Sequence, residues 1–180
     1  MRPAGLTLLA LSLMAGQATI NPDAALVKAF QDKVAAYTKL RKTMESKVPA
    51  LKPTDSPATI TARQKDLARG IREARGSAGQ GDIFSPEIAV EFKRLIGFAM
   101  KGQHADRIKG SLKSAEPVKL RLRVGAEYPE TVPLQSTPPT LLLNLPALPA
   151  ELDYRVVDHA LVLRDVKANL ILDFIPDAIP

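Results

Sequence analysis

Asp153–Ile175 reads DYRVVDHALVLRDVKANLILDFI. Three short apolar runs are separated by residues with turn chemistry, and this predicts strands at Asp153–Val157, Leu161–Arg164 and Leu170–Ile175. Asp158-His159 and the stretch 165–169 supply the turns, so the carboxy-terminal end reads as an antiparallel meander. In the last run, strict alternation places Leu170, Leu172 and Phe174 on one face, with Ile171 and Ile175 flanking Asp173 on the other. That strand is expected to be the most buried of the three, which makes Asp173 a charged residue in need of a partner. Asp158 and Asp165 read as turn formers.

Upstream of the meander, prolines at 129, 133, 138, 139, 146 and 149 predict a chain that runs extended over the surface between Tyr128 and Pro149. Leu141, Leu142, Leu143 and Leu145 are too apolar to be left in water and are expected against the core. Before that, Val118, Leu120, Leu122 and Val124 alternate with Lys119, Arg121 and Arg123, the pattern of a half-buried strand. Its outward cations would stand about 6.8 Å apart. This ladder has two readings: cations that blunt a sheet edge, or cations that bind an anion.

The amino-terminal part changes period to 3.6. Asn21-Pro22 opens a first helix, expected from Pro22 to about Lys47, with Leu26, Phe30, Val34, Tyr37, Met44 and Val48 inward. Lys28, Asp32, Lys33, Lys39, Arg41 and Lys42 read as its solvated face. Ser56-Pro57 opens a second helix to about Arg75, with Ile60, Leu67, Ile71 and Ala74 inward and dense charge that includes Arg63, Arg69 and Arg72. Gly76–Gly81 reads as a flexible connection; no Gly-Lys-Ser/Thr follows, so it is not a phosphate loop. Ser85-Pro86 opens a third helix to about Lys101-Gly102, with Ile88, Phe92, Leu95, Ile96 and Ala99 inward. A short helix is expected over His104–Leu112.

Residues 1–18 combine Arg2, an apolar run from Leu6 to Ala15 and the small-x-small triplet Gly16-Gln17-Ala18, the pattern of a secretory signal peptide. The apolar run is shorter than the about 20 residues that span a bilayer, and no later run is longer, so no transmembrane segment is expected after leader removal. Residues 19–180 are expected to form a single α+β domain, with a helical part over 21–114 and a β-rich part over 116–180. Through Arg123 the chain holds 22 Lys and Arg against 11 Asp and Glu; from Val124 onward it holds 3 against 8. A basic piece followed by an acidic piece can neutralise itself on packing, or leave a face for a polyanion.

The same composition excludes several chemistries. With no Cys there are no disulfides, thiol nucleophiles or thiolate metal sites. Trp is absent and aromatics make up 4% of the chain, which argues against stacked-ring sugar platforms and base-stacking nucleic-acid recognition. His104 and His159 lie in unlike contexts without metal-ligand spacing, and His159 reads as a solvated turn residue. Asp153, Asp158, Asp165 and Asp173 lack the spacing of a calcium loop. No G-x-S-x-G elbow surrounds Ser85, Ser111 or Ser136. No catalytic residue, metal or cofactor is implied.

The stretch PPTLLLNLPALPAELDYRVVDHALVLRDVKANLILDFIPDA, Pro138–Ala178, is similar to the ending of a group of uncharacterised secreted bacterial proteins that join a leader, a charged helical region and a short β tail. YRVV, LVLRD and NLILD within it also resemble the small strand pairs that end some periplasmic proteins of the nickel and cobalt homeostasis type. The resemblance implies an envelope address and a non-enzymatic role. The expected fold is therefore α+β, with three helices followed by a small, mostly antiparallel sheet that they cover. The expected function is a periplasmic or secreted accessory protein that binds a partner without chemistry, either an unknown protein or an anionic envelope component. The candidate anion-binding residues are Arg63, Arg69, Arg72, Lys119, Arg121 and Arg123. An undescribed hydrolase is the remaining class.

Overall fold

The computed structural model describes residues 22–50, 52–53, 55–114, 120–129 and 137–180. The expected leader, Asn21 and Lys119 lie outside the described residues. Helices come first: α1 (Pro22–Glu45), α2 (Pro57–Arg75), α3 (Pro86–Ala99), α4 (Ala105–Ser114) and the single turn α5 (Pro139–Leu142). Strands β1 (Leu152–Val157), β2 (Ala160–Asp165) and β3 (Leu170–Ile175) follow as an antiparallel sheet in the order β1-β2-β3. The class is α+β, and each of the three strands expected in the carboxy-terminal meander forms within a residue of its expected bounds, with the central β2 rather than β3 the most fully buried.

Both α2 and α3 pack on α1. Between these helices and one face of the sheet lies the main core. Its centre is aromatic: Phe30 of α1 stacks on Phe84 with ring centroids 5.5 Å apart and meets Phe92 of α3 edge-on at 4.9 Å, while Tyr154 of β1 closes the group. Such pairs add to the burial of apolar area, the main favourable contribution to folding. Leu67, Ala68 and Ile71 of α2, Ile88 and Ile96 of α3, and Leu161, Leu163, Leu170 and Leu172 of the sheet complete it.

Three expected positions change, two from inward to exposed and one from solvated to buried. Ile60 and Ala74 of α2 are exposed, because the buried stripe is narrower and runs through Leu67, Ala68 and Ile71. Arg41, expected on the solvated face of α1, is 1% exposed. It lies four residues beyond Tyr37, which itself follows Phe30 and Val34 on one stripe, so helix geometry carries it into the core regardless of its charge. Asp165 meets it there: Arg41 Nε donates to Asp165 Oδ2 at 2.8 Å and Tyr37 Oη donates to the same oxygen at 2.7 Å. The turn role expected of Asp165 is kept by its other oxygen, which accepts the Ala168 amide at 2.7 Å.

The alternation expected in β3 is broken by a bulge. Leu163 pairs with Asp173 and Arg164 with Ile171, so Leu172 has no opposite residue. One extra residue rotates everything after it by one face. Leu170, Leu172 and Ile175 therefore face the main core, while Ile171 and Phe174 face the other side. The bulge also turns Asp173 toward the helical layer. There its carboxylate accepts the amides of Gly81 at 3.0 Å and of Ile83 and Phe84, both at 2.8 Å. The glycine-rich connection before α3 is thus fastened to the sheet by the residue whose burial the sequence left in need of a partner.

The second face of the sheet is covered by chain rather than by helix. Leu120, Leu122 and Ala126 pack on Tyr128, Val157, Val162 and Ile171. The strand expected over 118–124 does not form among the described residues: 120–123 has no ladder partners and crosses the face of the sheet. Its period of two survives as half-buried Leu120 and Leu122 alternating with exposed Arg121 and Arg123, because one-sided burial requires alternation whether or not a neighbouring strand is present. Only 125–128 meets the edge of β3, through Gly125 N to Ile171 O at 2.8 Å and Tyr128 N to Asn169 O at 2.9 Å. The proline-rich segment also departs from a fully extended path, since α5 forms at Pro139 and buries Leu141, while Leu142 and Leu143 are exposed.

Candidate anion-binding cleft

α2 ends at Gly76, whose φ of 54° is the left-handed conformation that glycine adopts without strain. The last turn of that helix carries Arg72 and Arg75. Opposite it, the chain at 123–125 turns at Gly125, φ 76°, close enough that a Cβ there would lie 3.7 Å from the Arg72 side chain. Between these walls lies a cleft of about 210 Å³ that brings Arg72, Arg75 and Arg123 together over Ile71 and Leu170.

The three guanidinium groups are engaged to different degrees. Arg75 is fixed: Nη1 donates to the carbonyl of the bulged Leu172 at 3.0 Å, and its guanidinium lies 5.8 Å from the centre of the Tyr37 ring. Its other side stands 3.9 Å from Asp82, a loose ion pair. Arg72 reaches Glu127 Oε1 at 3.5 Å, with both side chains about 40% exposed. A contact that long and wet contributes at most about 1 kcal/mol. Both arginines also face the negative end of α2, which takes up part of their charge. The Arg123 side chain is exposed and has no ion-pair or hydrogen-bond partner among the described residues, while its carbonyl accepts the Ala126 amide at 3.1 Å.

Of the six candidate residues, then, Arg72 and Arg123 share a site. Arg121 is exposed next to it on the same segment. Arg63 is held elsewhere, donating to the carbonyl of Pro49 at 3.1 Å, and Arg69 is paired with Asp66 in its own helix. Arg75 belongs to the cleft and was not among the six. Its signal was present in the sequence: it lies four residues after Ile71, so it continues the buried stripe of α2 at the point where the helix leaves the core.

The carboxylates of the meander are occupied structurally. Asp153 accepts both Arg164, across the strand pair at 2.9 and 3.1 Å, and Arg155 at 2.6 and 2.9 Å. Arg164 also lies 5.5 Å from the centre of the Tyr128 ring. Asp165 and Asp173 are engaged as described above. His159 is exposed in its turn, with Nδ1 2.9 Å from the carbonyl of Ile179. Among the described residues no three His, Asp or Glu side chains converge on a point that could hold a metal ion. No helix among them is long and apolar enough to cross a membrane. A cleft of this kind can hold an anionic group by charge and by N–H donation from planar guanidinium groups. No family model, curated protein or solved structure matches the chain.

Proposed function

We propose that this is a periplasmic or secreted, non-enzymatic binding protein that holds an anionic partner, a component of the cell envelope, at the cleft between the end of α2 and the 123–125 turn. The observation that carries the reading is the convergence of Arg72, Arg75 and Arg123 on one cleft, with Arg123 unpaired among the described residues. The address rests on the signal-peptide pattern of residues 1–18 and on the resemblance of the carboxy-terminal end to secreted bacterial proteins. The non-enzymatic role is supported by the engagement of the meander carboxylates in ion pairs and amide bonds.

The test is a salt gradient on an anionic resin. The double variant Arg72→Gln/Arg123→Gln is compared with Lys39→Gln/Lys42→Gln, which removes the same charge from α1. If the cleft binds, the arginine variant elutes at distinctly lower salt than the lysine variant. Equal shifts would mean that net charge alone retains the protein, and the cleft reading would fall.

One observation favours a second reading. A groove of about 620 Å³ runs along α1 beside Ala147 and Pro149, floored by Phe30, Val34 and Ala35. A polypeptide partner seated there would bind with little dependence on salt, and Ala35→Glu would abolish that binding while the arginine variant left it unchanged.

A further inference from the structure

We propose that the outward face of α3, together with the adjoining part of α4, docks on the surface of a lipid bilayer containing anionic phospholipid. This surface shares no residue with the arginine cleft and does not depend on it.

α3 buries Ile88, Phe92, Ile96 and Ala99, yet its opposite side leaves Val90 68% and Phe98 61% exposed. Lys93 and Gly97 lie toward that outward side by helix geometry, as does the exposed Glu87 one turn before Val90, and Lys101 follows just beyond the end of α3. Beside it, a cleft of about 600 Å³ between α3, α4 and the 177–180 segment has a mainly apolar lining that includes Met100 and Ala178, and carries Lys93, Lys101 and Lys109. These lysines have no ion-pair partner among the described residues, and Asp177 is the one acidic side chain that lines the same cleft, beside Pro180. Within the cleft, three lysines thus stand against one acidic side chain.

Arg94 behaves differently. It donates to both oxygens of Glu91 and to Asp23, and its guanidinium lies 5.3 Å from the centre of the Phe98 ring. Phe98 keeps its outward position in contact with this guanidinium. The result is an exposed ring and an exposed valine flanked by unpaired lysines.

Charge complementarity selects the occupant. Lysines are mobile point charges whose stems lie along apolar surface while the ammonium group reaches outward, which suits a fluid array of phosphate headgroups. Two apolar side chains set apart along a helix suit shallow insertion at the boundary between headgroups and acyl chains. A protein partner would be expected to meet a contiguous central apolar cluster instead.

The experiment is cosedimentation of the purified chain with phosphatidylcholine vesicles, with and without phosphatidylglycerol. Three variants accompany the unaltered chain: Lys93→Gln/Lys101→Gln/Lys109→Gln, Val90→Ser/Phe98→Ser and Arg72→Gln/Arg123→Gln. All the altered side chains are exposed or line open clefts, and circular dichroism verifies that each variant is folded. The expected result is binding only to the phosphatidylglycerol vesicles. The lysine variant should bind about a hundredfold more weakly, at roughly fivefold per lysine near an anionic surface. The Val90/Phe98 variant should bind about tenfold more weakly from lost apolar burial, and the arginine variant should bind unchanged. No binding to the anionic vesicles overturns the proposal. So does a Val90/Phe98 variant that binds as well as the unaltered chain, because adsorption would then be by charge alone. Equal loss in the lysine and arginine variants overturns it too, since no defined face would be involved. The resin test of the arginine cleft stands or falls separately.

Discussion

At the scale of single residues, two buried aspartates connect the helical layer to the sheet. Asp165 binds Tyr37 and Arg41, and burial together with this carboxylate pushes the Tyr37 phenol well above its ordinary pKa. Burial works against the charge of Arg41, but Asp165 and Glu45 outweigh it and leave its pKa raised. Replacing one member of such a pair leaves the other buried and uncompensated, which is why buried ion pairs are costly to break even when their net contribution is small. Asp173 serves backbone instead of side chain. Asp173→Ala removes the acceptor from three amides of the 81–84 segment and from that of Phe174, and each buried unsatisfied donor costs about 1–3 kcal/mol. Asp173→Ala should therefore lower stability by at least about 3 kcal/mol in urea denaturation, and the Ile83 and Phe84 amides should lose hydrogen-exchange protection. A loss below about 1 kcal/mol with protection retained would show that the 76–85 connection is held by packing alone.

At the scale of elements, β3 decides the most. Its bulge at Leu172 supplies Asp173 to the loop before α3 and the Leu172 carbonyl to Arg75, so one irregularity fixes both the connection and a wall of the arginine cleft. Leu172 itself is fully buried, and Leu172→Ala should cost about 2–5 kcal/mol, the range for truncating a buried leucine in a core that cannot fully collapse. Lys39→Ala, on an exposed position of α1, should stay within about 0.5 kcal/mol. Chemical denaturation of the two variants side by side checks this, and equal losses would contradict the burial of β3. The 120–128 segment shows how an element is misread. Alternation reports one-sided burial, and a chain laid across a sheet face satisfies it as well as a strand does.

At the scale of the whole molecule, α1 is tied to the turn between β2 and β3 on the outside as well as within. Glu45 accepts Arg41 Nη1 at 2.8 Å and lies 3.5 Å from Lys167 Nζ. Partial burial pushes Glu45 up, but the hydrogen bond and charge of Arg41, with Lys167, outweigh it and hold its pKa below the ordinary value of 4.5. A carboxyl depressed on folding adds stability that is fully present above its unfolded pKa and is lost as pH falls through its folded pKa. Glu45→Gln should therefore lower stability by about 1 kcal/mol at neutral pH, and the gap to the unaltered protein should close as pH drops below 4.5. Thermal melts at several pH values measure it; a gap that does not change with pH would remove Glu45 from the linkage. The sequence by itself determined the helices, their proline starts and the three strands, because capping residues, turn residues and apolar period are local and act within a few neighbours. It also marked Asp173 as needing a partner. Only the tertiary structure decided that the partner is the 81–84 backbone, that Arg41 is buried on Asp165, that 120–123 crosses a face without joining the sheet, and that Arg72, Arg75 and Arg123 share a cleft. Each of these depends on residues about 50 to 125 positions apart meeting. The bulge that arranges several of them is one extra residue, and a pattern of alternating side chains carries no mark of where such a residue falls.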